Sequence, residues 1–279
     1  MELYNKTSFN ISKLVTKTYS TSFSLGIAAF APKYRDAIYG IYGFVRLADE
    51  IVDTFHGYNQ KKLIEDFRRD TEEALRSGIS TNPILQAFVQ TVNEYKIDYH
   101  YIDAFLNSME MDLSNSYYEK DEYNEYIYGS AEVVGLMCLK VFCGDDKELF
   151  QQLIEPARSL GSAFQKVNFL RDIKSDMEER ERIYLPGISH ANKIDDESKK
   201  NLEQEVEKEF RKALEGIKKL PHGVKLGVYS AYLYYVALFR KIQRLEVKEL
   251  MKRRVRVSNP AKIALLFRGL VEVRLLKLT

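Results

Sequence analysis

Ile38-Tyr39-Gly40-Ile41-Tyr42-Gly43-Phe44-Val45-Arg46-Leu47-Ala48-Asp49-Glu50-Ile51-Val52-Asp53 is an apolar stretch that ends in acid. Ile38, Ile41, Tyr42, Val45, Ala48 and Val52 recur at three- and four-residue intervals, the repeat of one helix face. The spacing predicts a helix over 34–55, opening just after Pro32. Asp49 and Asp53 lie one turn apart on that helix and share a face. Between Ile38 and Val52 only Arg46, Asp49 and Glu50 are charged, so an interior placement fits better than a solvated face. A second row lies far along the chain in Asn168-Phe169-Leu170-Arg171-Asp172-Ile173-Lys174-Ser175-Asp176, with Asn168, Asp172 and Asp176 on one face. Two such rows facing each other across a cavity repel unless cations lie between them. Hard divalent ions such as Mg²⁺ are held against substrate phosphates in this way. Each row carries an arginine, Arg46 and Arg171. Either pairs with its neighbouring acids or grips an anion that the metal also binds.

Working outward, helical periodicity dominates. Pro numbers six, and no run alternates for long enough to suggest a sheet. Helices are expected at 59–76, stopping at Ser77-Gly78, at 83–95, at 98–114 and at 121–143. Another is expected over 147–180, with a kink near Gly161. A polar loop follows from Pro186 to about Lys200, the candidate mobile segment. Helices at 201–219 and 222–251 and a short one near 260–276 complete the chain. No repeat or linker divides 1–279, so the fold class expected is a single all-α domain.

Composition narrows the partners. The charges nearly cancel at +2, which gives no global field for nucleic acid. Cys138 and Cys143 lie in a Leu/Val/Phe-rich stretch and read as buried thiols of a reducing cytoplasm. Met1-Glu2-Leu3-Tyr4-Asn5-Lys6 lacks the apolar run of a signal peptide, and no stretch approaches the ~20 apolar residues that cross a bilayer. The expected location is cytoplasmic, at most peripheral to the inner face of the membrane. The basic run Lys252-Arg253-Arg254-Val255-Arg256 is the candidate contact.

Two further segments stand out. Tyr19-Ser20-Thr21-Ser22-Phe23-Ser24 offers hydroxyls and backbone N–H groups near a helix start, either an anion cradle or an ordinary cap. Tyr126-Ile127-Tyr128-Gly129-Ser130-Ala131-Glu132-Val133-Val134-Gly135-Leu136-Met137 is apolar with small residues at 129–131 and 135. They leave room for a neighbouring helix or for a greasy ligand.

In this order and at these intervals the four segments resemble the squalene/phytoene synthase family of head-to-head prenyltransferases. The resemblance rests on Ser20-Thr21-Ser22-Phe23, Arg46 to Asp53, Tyr126 to Gly135, Gln165 to Asp176, and Arg182-Ile183-Tyr184-Leu185-Pro186, and spans roughly 18 to 258. It implies an isoprenoid synthase fold, helices around a deep central cavity, joining two prenyl diphosphates through a cyclopropylcarbinyl diphosphate. By motif, Asp49, Asp53, Asn168, Asp172 and Asp176 would bind Mg²⁺, with Mn²⁺ an alternative. Tyr19, Ser20, Thr21, Ser22, Phe23, Tyr42, Arg46, Gln165, Arg171, Tyr235 and Arg254 would hold the substrate. Tyr126 would sit by the reacting carbons, polarising the leaving group or steadying cationic charge. Tyr126, Arg46, Arg171 and Tyr235 form the expected catalytic set. Phe23, Phe30, Tyr39, Tyr42 and Phe164 are candidates for the aromatic lining that protects a carbocation. The chain departs from the family where a Lys is replaced by Thr21, and where Val-Ala-Gly becomes Ser130-Ala131-Glu132. A carboxylate at Glu132 beside the cavity is costly unless it finds a polar partner or points away.

The form Asp49-Glu50-Ile51-Val52-Asp53 and the lack of a long C-terminal apolar anchor favour the carotenoid branch. The expected reaction is two geranylgeranyl diphosphates to 15-cis-phytoene without NADPH, with a downstream carotenoid desaturase as candidate partner. Dehydrosqualene or squalene from farnesyl diphosphate is the second choice. A catalytically inactive relative acting in assembly or lipid binding is the alternative of another class.

Overall fold

The computed structural model describes residues 1–178, 182–184 and 195–274. It is 83% helical. Among the described residues there is no strand, and Tyr117 and Ile183 form one isolated parallel bridge. The order is α1 (Glu2–Tyr19), α2 (Thr21–Ala28), α3 (Pro32–Asp53), α4 (Gln60–Ser77), α5 (Pro83–Tyr95) and α6 (Tyr99–Ser114). Next, α7 (Lys120–Ile127) passes through a π-helical turn (Tyr128–Glu132) into α8 (Val133–Cys143). Long α9 (Lys147–Glu178) packs along α10 (Asp196–Lys219), and α11 (His222–Gln243), short α12 (Val247–Leu250) and α13 (Asn259–Arg274) follow.

Local chemistry explains the boundaries. Asn59, Asn82 and Asp98 cap α4, α5 and α6 by accepting from the backbone N–H groups of Lys62, Ile84 and His100. Pro32 and Pro83 fill first-turn positions where no donor is needed. Gly78 ends α4 in the left-handed region at φ +76°.

The differences from expectation have physical causes. Helices α1 and α2 were not anticipated: the buried side of α1 is polar, formed by Ser8, Ser12 and Thr16, and α2 is only 8 residues long. The stretch 222–251 is not one helix. The chain leaves α11 at Arg244, and Glu246 restarts it with a capping box while the N–H of Val247 donates to Asp196 on α10. Positions 196–200, expected in a loop, are the first turns of α10. The rest of that loop, 186–194, lies outside the described residues. Lys120–Cys143 reads as one helical run long and apolar enough to cross a membrane (mean hydropathy 1.4), which the sequence reading did not foresee. It is a core helix here, with 61% of that window buried.

Gly161 marks close packing, and α9 continues through it. A Cβ at Gly161 would sit 2.6 Å from the carbonyl oxygen of Ala131, and one at Gly129 2.4 Å from that of Ala104. The π-turn is therefore gripped by α6 on one side and α9 on the other. Gly161→Ala is expected to destabilise by about 1–3 kcal/mol, because backbone must move to admit the methyl. Thermal melts against an exposed Gln151→Ala control on the same helix would show this; equal melting temperatures would remove the close-packing account.

Candidate active site

A cavity of about 500 Å³ runs between α3, the π-turn with α8, α9 and α11. Ile38, Ile41, Tyr42, Val45, Arg46, Asp49 and Asp53 supply its α3 wall, one stripe from apolar to acidic. At 1.5 Å per residue that stripe is roughly 22 Å long. Ala48 and Val52, expected on the same side, face the core instead and are 0% and 1% exposed. Tyr39 does not line the cavity. One residue on from Ile38 it points about 100° away, is buried, and lies beneath Lys13. Phe23, Phe30, Tyr42 and Phe164 do line it. Cys138 is also on the wall rather than sealed in the core, while Cys143 is buried. Burial raises the Cys138 thiol to about 12, which leaves it protonated.

The two acid rows line the same end of this cavity. Asp53 ends α3 and Asp176 lies in the last turn of α9, where the helix dipole adds negative potential. Burial and the nearby Asp53 charge push Asp49 up to about 7, with Arg46 opposing. Asp172 behaves differently. Burial would raise it, but Arg171 and Arg254 hold it below the usual carboxylate range. The Nε atoms of Arg171 and Arg254 lie 2.9 and 2.7 Å from Asp172 Oδ1. Arg46 pairs with Glu50 and its guanidinium lies 4.4 Å from the Tyr19 ring centre. Its Nε atom is buried without a hydrogen-bond partner.

The other expected residues are placed unevenly. Gln165, Asn168 and Tyr235 are on the wall, and Tyr235 donates to Asn168 Oδ1 (3.2 Å) while stacking on Phe164. Tyr19, Ser20, Thr21 and Ser22 are not on the lining. Ser20 is the cap between α1 and α2, accepting from the N–H of Phe23, and Tyr19 is 50% exposed. Glu132, costly if unpaired, accepts from Arg158 Nε at 2.6 Å. The small residues serve both purposes: Gly129 admits α6, whereas Ser130, Ala131 and Gly135 open onto the cavity.

Sequence reading missed Asp112, a lone acid on α6 without a repeating pattern. Its carboxylate, 4% exposed, accepts from Tyr118, Tyr126 and Tyr184 at 3.1, 2.9 and 2.7 Å. Arg182 lies 3.6 Å from Asp112, donates to Asp53 at 2.9 Å, and caps the carbonyl of Val52 at 3.0 Å. Burial lifts Asp112 to about 6, with Arg182 opposing and Asp53 adding. The backbone of Arg182 donates to Asp176, and Tyr184 stacks on Phe169 with 4.5 Å between ring centres. Residues 182–184 thus tie α3, α6 and α9 together at the acidic end. Arg182 and Tyr184 stood in a quoted motif without a role; three-residue spacing says nothing of where a strap docks.

An all-helical protein built around a long cavity, acid and arginine at one end and hydrocarbon-like at the other, has the architecture of the isoprenoid synthases. The squalene/phytoene synthase sequence pattern matches residues 16–261, and the chain belongs to this family of prenyltransferases. Over 263 residues it is 29% identical to a phytoene synthase of Arthrospira platensis, covering 86% of this chain and 85% of that one. It is also 29% identical to phytoene synthase 1, chloroplastic, of Arabidopsis thaliana, covering 90% of this chain but 63% of the relative. The fold matches a dehydrosqualene synthase structure with TM-score 0.82 at 20% identity, covering 97% of this chain and 98% of that one. A squalene synthase of Alicyclobacillus acidocaldarius matches with TM-score 0.74 at 19% identity, over 87% and 95% of the two chains.

The family binds diphosphate through divalent metal. Among the described residues no three His, Cys, Asp or Glu side chains converge on one ion position. The donors instead come as acid pairs with an amide, Asp49/Asp53 and Asn168/Asp172/Asp176, at one cavity end. Such sets suit Mg²⁺, which takes one or two carboxylates and fills its shell with water and substrate phosphate. The raised Asp49 carboxyl is the sign of that fit, since a cation beside it would relieve the crowded charge.

Proposed function

We propose that this chain joins two geranylgeranyl diphosphates head to head, through a cyclopropylcarbinyl diphosphate, to give 15-cis-phytoene and two diphosphates. The observation that carries this reading is the single cavity whose acidic, arginine-bearing end continues into a long apolar wall. The phytoene synthases among its relatives support the C20 choice. Retention of all five oxygen ligands speaks against an inactive relative.

Mg²⁺ held by Asp49, Asp53, Asn168, Asp172 and Asp176 would act as a Lewis acid on the departing diphosphate. Arg46, Arg171 and Arg254 border the same end and complement the negative charge that develops there. Arg171 and Arg254 rest on Asp172 and can turn from it to a diphosphate oxygen. Tyr126 donates its proton to Asp112 Oδ2, so a lone pair of its oxygen remains for a developing cation. That arrangement favours steadying the cation over protonating the leaving group. Phe23, Tyr42, Phe164 and Tyr235 keep the adjoining wall aromatic and dry. The last cation loses a proton and needs no hydride donor in this reading.

The test is incubation of the pure protein with Mg²⁺ and either the C15 or the C20 diphosphate, with and without NADPH. The expected hydrocarbon is phytoene from C20 substrate, independent of NADPH. Dehydrosqualene or squalene made only from C15 substrate would overturn the phytoene assignment. No hydrocarbon from either would overturn the enzyme reading.

A further inference from the structure

Helix α13 turns three large apolar side chains to solvent: Ile263 is 49% exposed, Phe267 63% and Val271 44%. At four-residue spacing they form one stripe. The opposite face of the helix is firmly held. Gly269 lies against Ser230 and Leu233 of α11, Leu265 and Val273 pack on the core, and Glu272 accepts from both Tyr229 and Arg268. The stripe is thus a designed surface of a docked helix, in contrast to scattered single apolar residues, which need no explanation.

Charge indicates what it meets. Residues 252–274 hold seven lysines and arginines against one acid, Glu272, an excess larger than the +2 of the whole chain. Lys252, Arg253 and Arg256 are exposed, and Arg268 and Arg274 flank the stripe itself. A helix with an apolar face edged by basic residues suits the interface of an anionic bilayer. A second copy of this chain suits it poorly, because a two-fold contact would bring two basic stripes together. The surface also adjoins the cavity, since Arg254 belongs both to the basic run and to the cavity wall.

We propose that α13 and the basic segment before it form a membrane-docking surface. Ile263, Phe267 and Val271 enter the acyl boundary, while Arg253 and Arg256 meet anionic headgroups. Docking there places the cavity beside lipid, and it is independent of which hydrocarbon the enzyme makes.

Sedimentation of the full chain with vesicles of phosphatidylcholine alone or enriched in phosphatidylglycerol tests this. Binding is expected to the anionic vesicles, weakening as salt rises. Phe267→Ser should weaken it about tenfold. Arg253→Gln and Arg256→Gln should each weaken it roughly fivefold. Activity on detergent-dispersed substrate should be unchanged in all three. Wild-type protein that ignores anionic vesicles, or Phe267→Ser protein that binds them equally well, would overturn the proposal. So would a dimer in solution that Phe267→Ser converts to monomer, because the stripe would then belong to a second copy.

Discussion

Asp49→Asn is expected to lower turnover on the order of 10³-fold or more while raising the stability of the metal-free protein. The two effects share one cause. Burial and Asp53 raise the Asp49 carboxyl to about 7, so its ionised form is tolerated only at a cost. A group raised in the folded state contributes stability fully present below its unfolded value near 4, and lost as pH climbs through its folded value. Metal-free protein should therefore lose stability between about pH 4 and pH 7, and Asp112, raised to about 6, acts in the same direction. The amide removes the Asp49 share of that loss, on the order of a few kcal/mol. It also removes one of the carboxylates proposed to hold Mg²⁺, the Lewis acid that would assist diphosphate departure. Added Mg²⁺ should flatten the pH dependence of the parent more than that of the variant. Asp172→Ala is expected to reduce turnover on a similar scale, leaving Arg171 and Arg254 without their shared partner. Near-normal turnover in both variants would falsify the metal assignment; melting curves at pH 4 and pH 7 check the stability half.

Asp112→Ala is expected to destabilise by about 3–5 kcal/mol, the scale of breaking a buried pair from one side. Three tyrosine hydroxyls would lose an acceptor, and Arg182, 7% exposed, would keep only Asp53 of its two carboxylates. For a chain of this size the melting temperature should fall on the order of 10 °C. Asp112→Asn keeps part of the hydrogen bonding and should cost less. Combining Asp112→Ala with Arg182→Met should cost less than the sum of the two, since the stranded charge is gone. If Asp112→Ala melts with the parent, the network is not what holds the 182–184 strap in place.

Much of this was legible in the residues. The four-residue repeat in 38–53 and in 168–176 encodes faces that hold whatever the rest of the chain does. Caps at Asn59, Asn82 and Asp98 and the stop at Gly78 act within a few residues, so the starts of α4 to α6 and the end of α4 could be read directly. Where the buried side is polar, as in α1, or the helix is short, as in α2, no apolar repeat announced a helix. Where a distant partner intervened, as Asp196 does at Val247, the local pattern continued past the true break.

Sequence by itself determined that the chain is all-helical, that its acids come in one-turn rows beside arginines, and that it belongs with the head-to-head prenyltransferases. Those are properties of neighbours within a turn or two, or of motif order along the chain. Only the tertiary structure decided that both rows line one cavity, that Tyr39 looks away from it, and that Asp112 gathers Tyr118, Tyr126, Tyr184 and Arg182. Such contacts join helices far apart in sequence, where side-chain direction and packing choose partners and no local spacing records them.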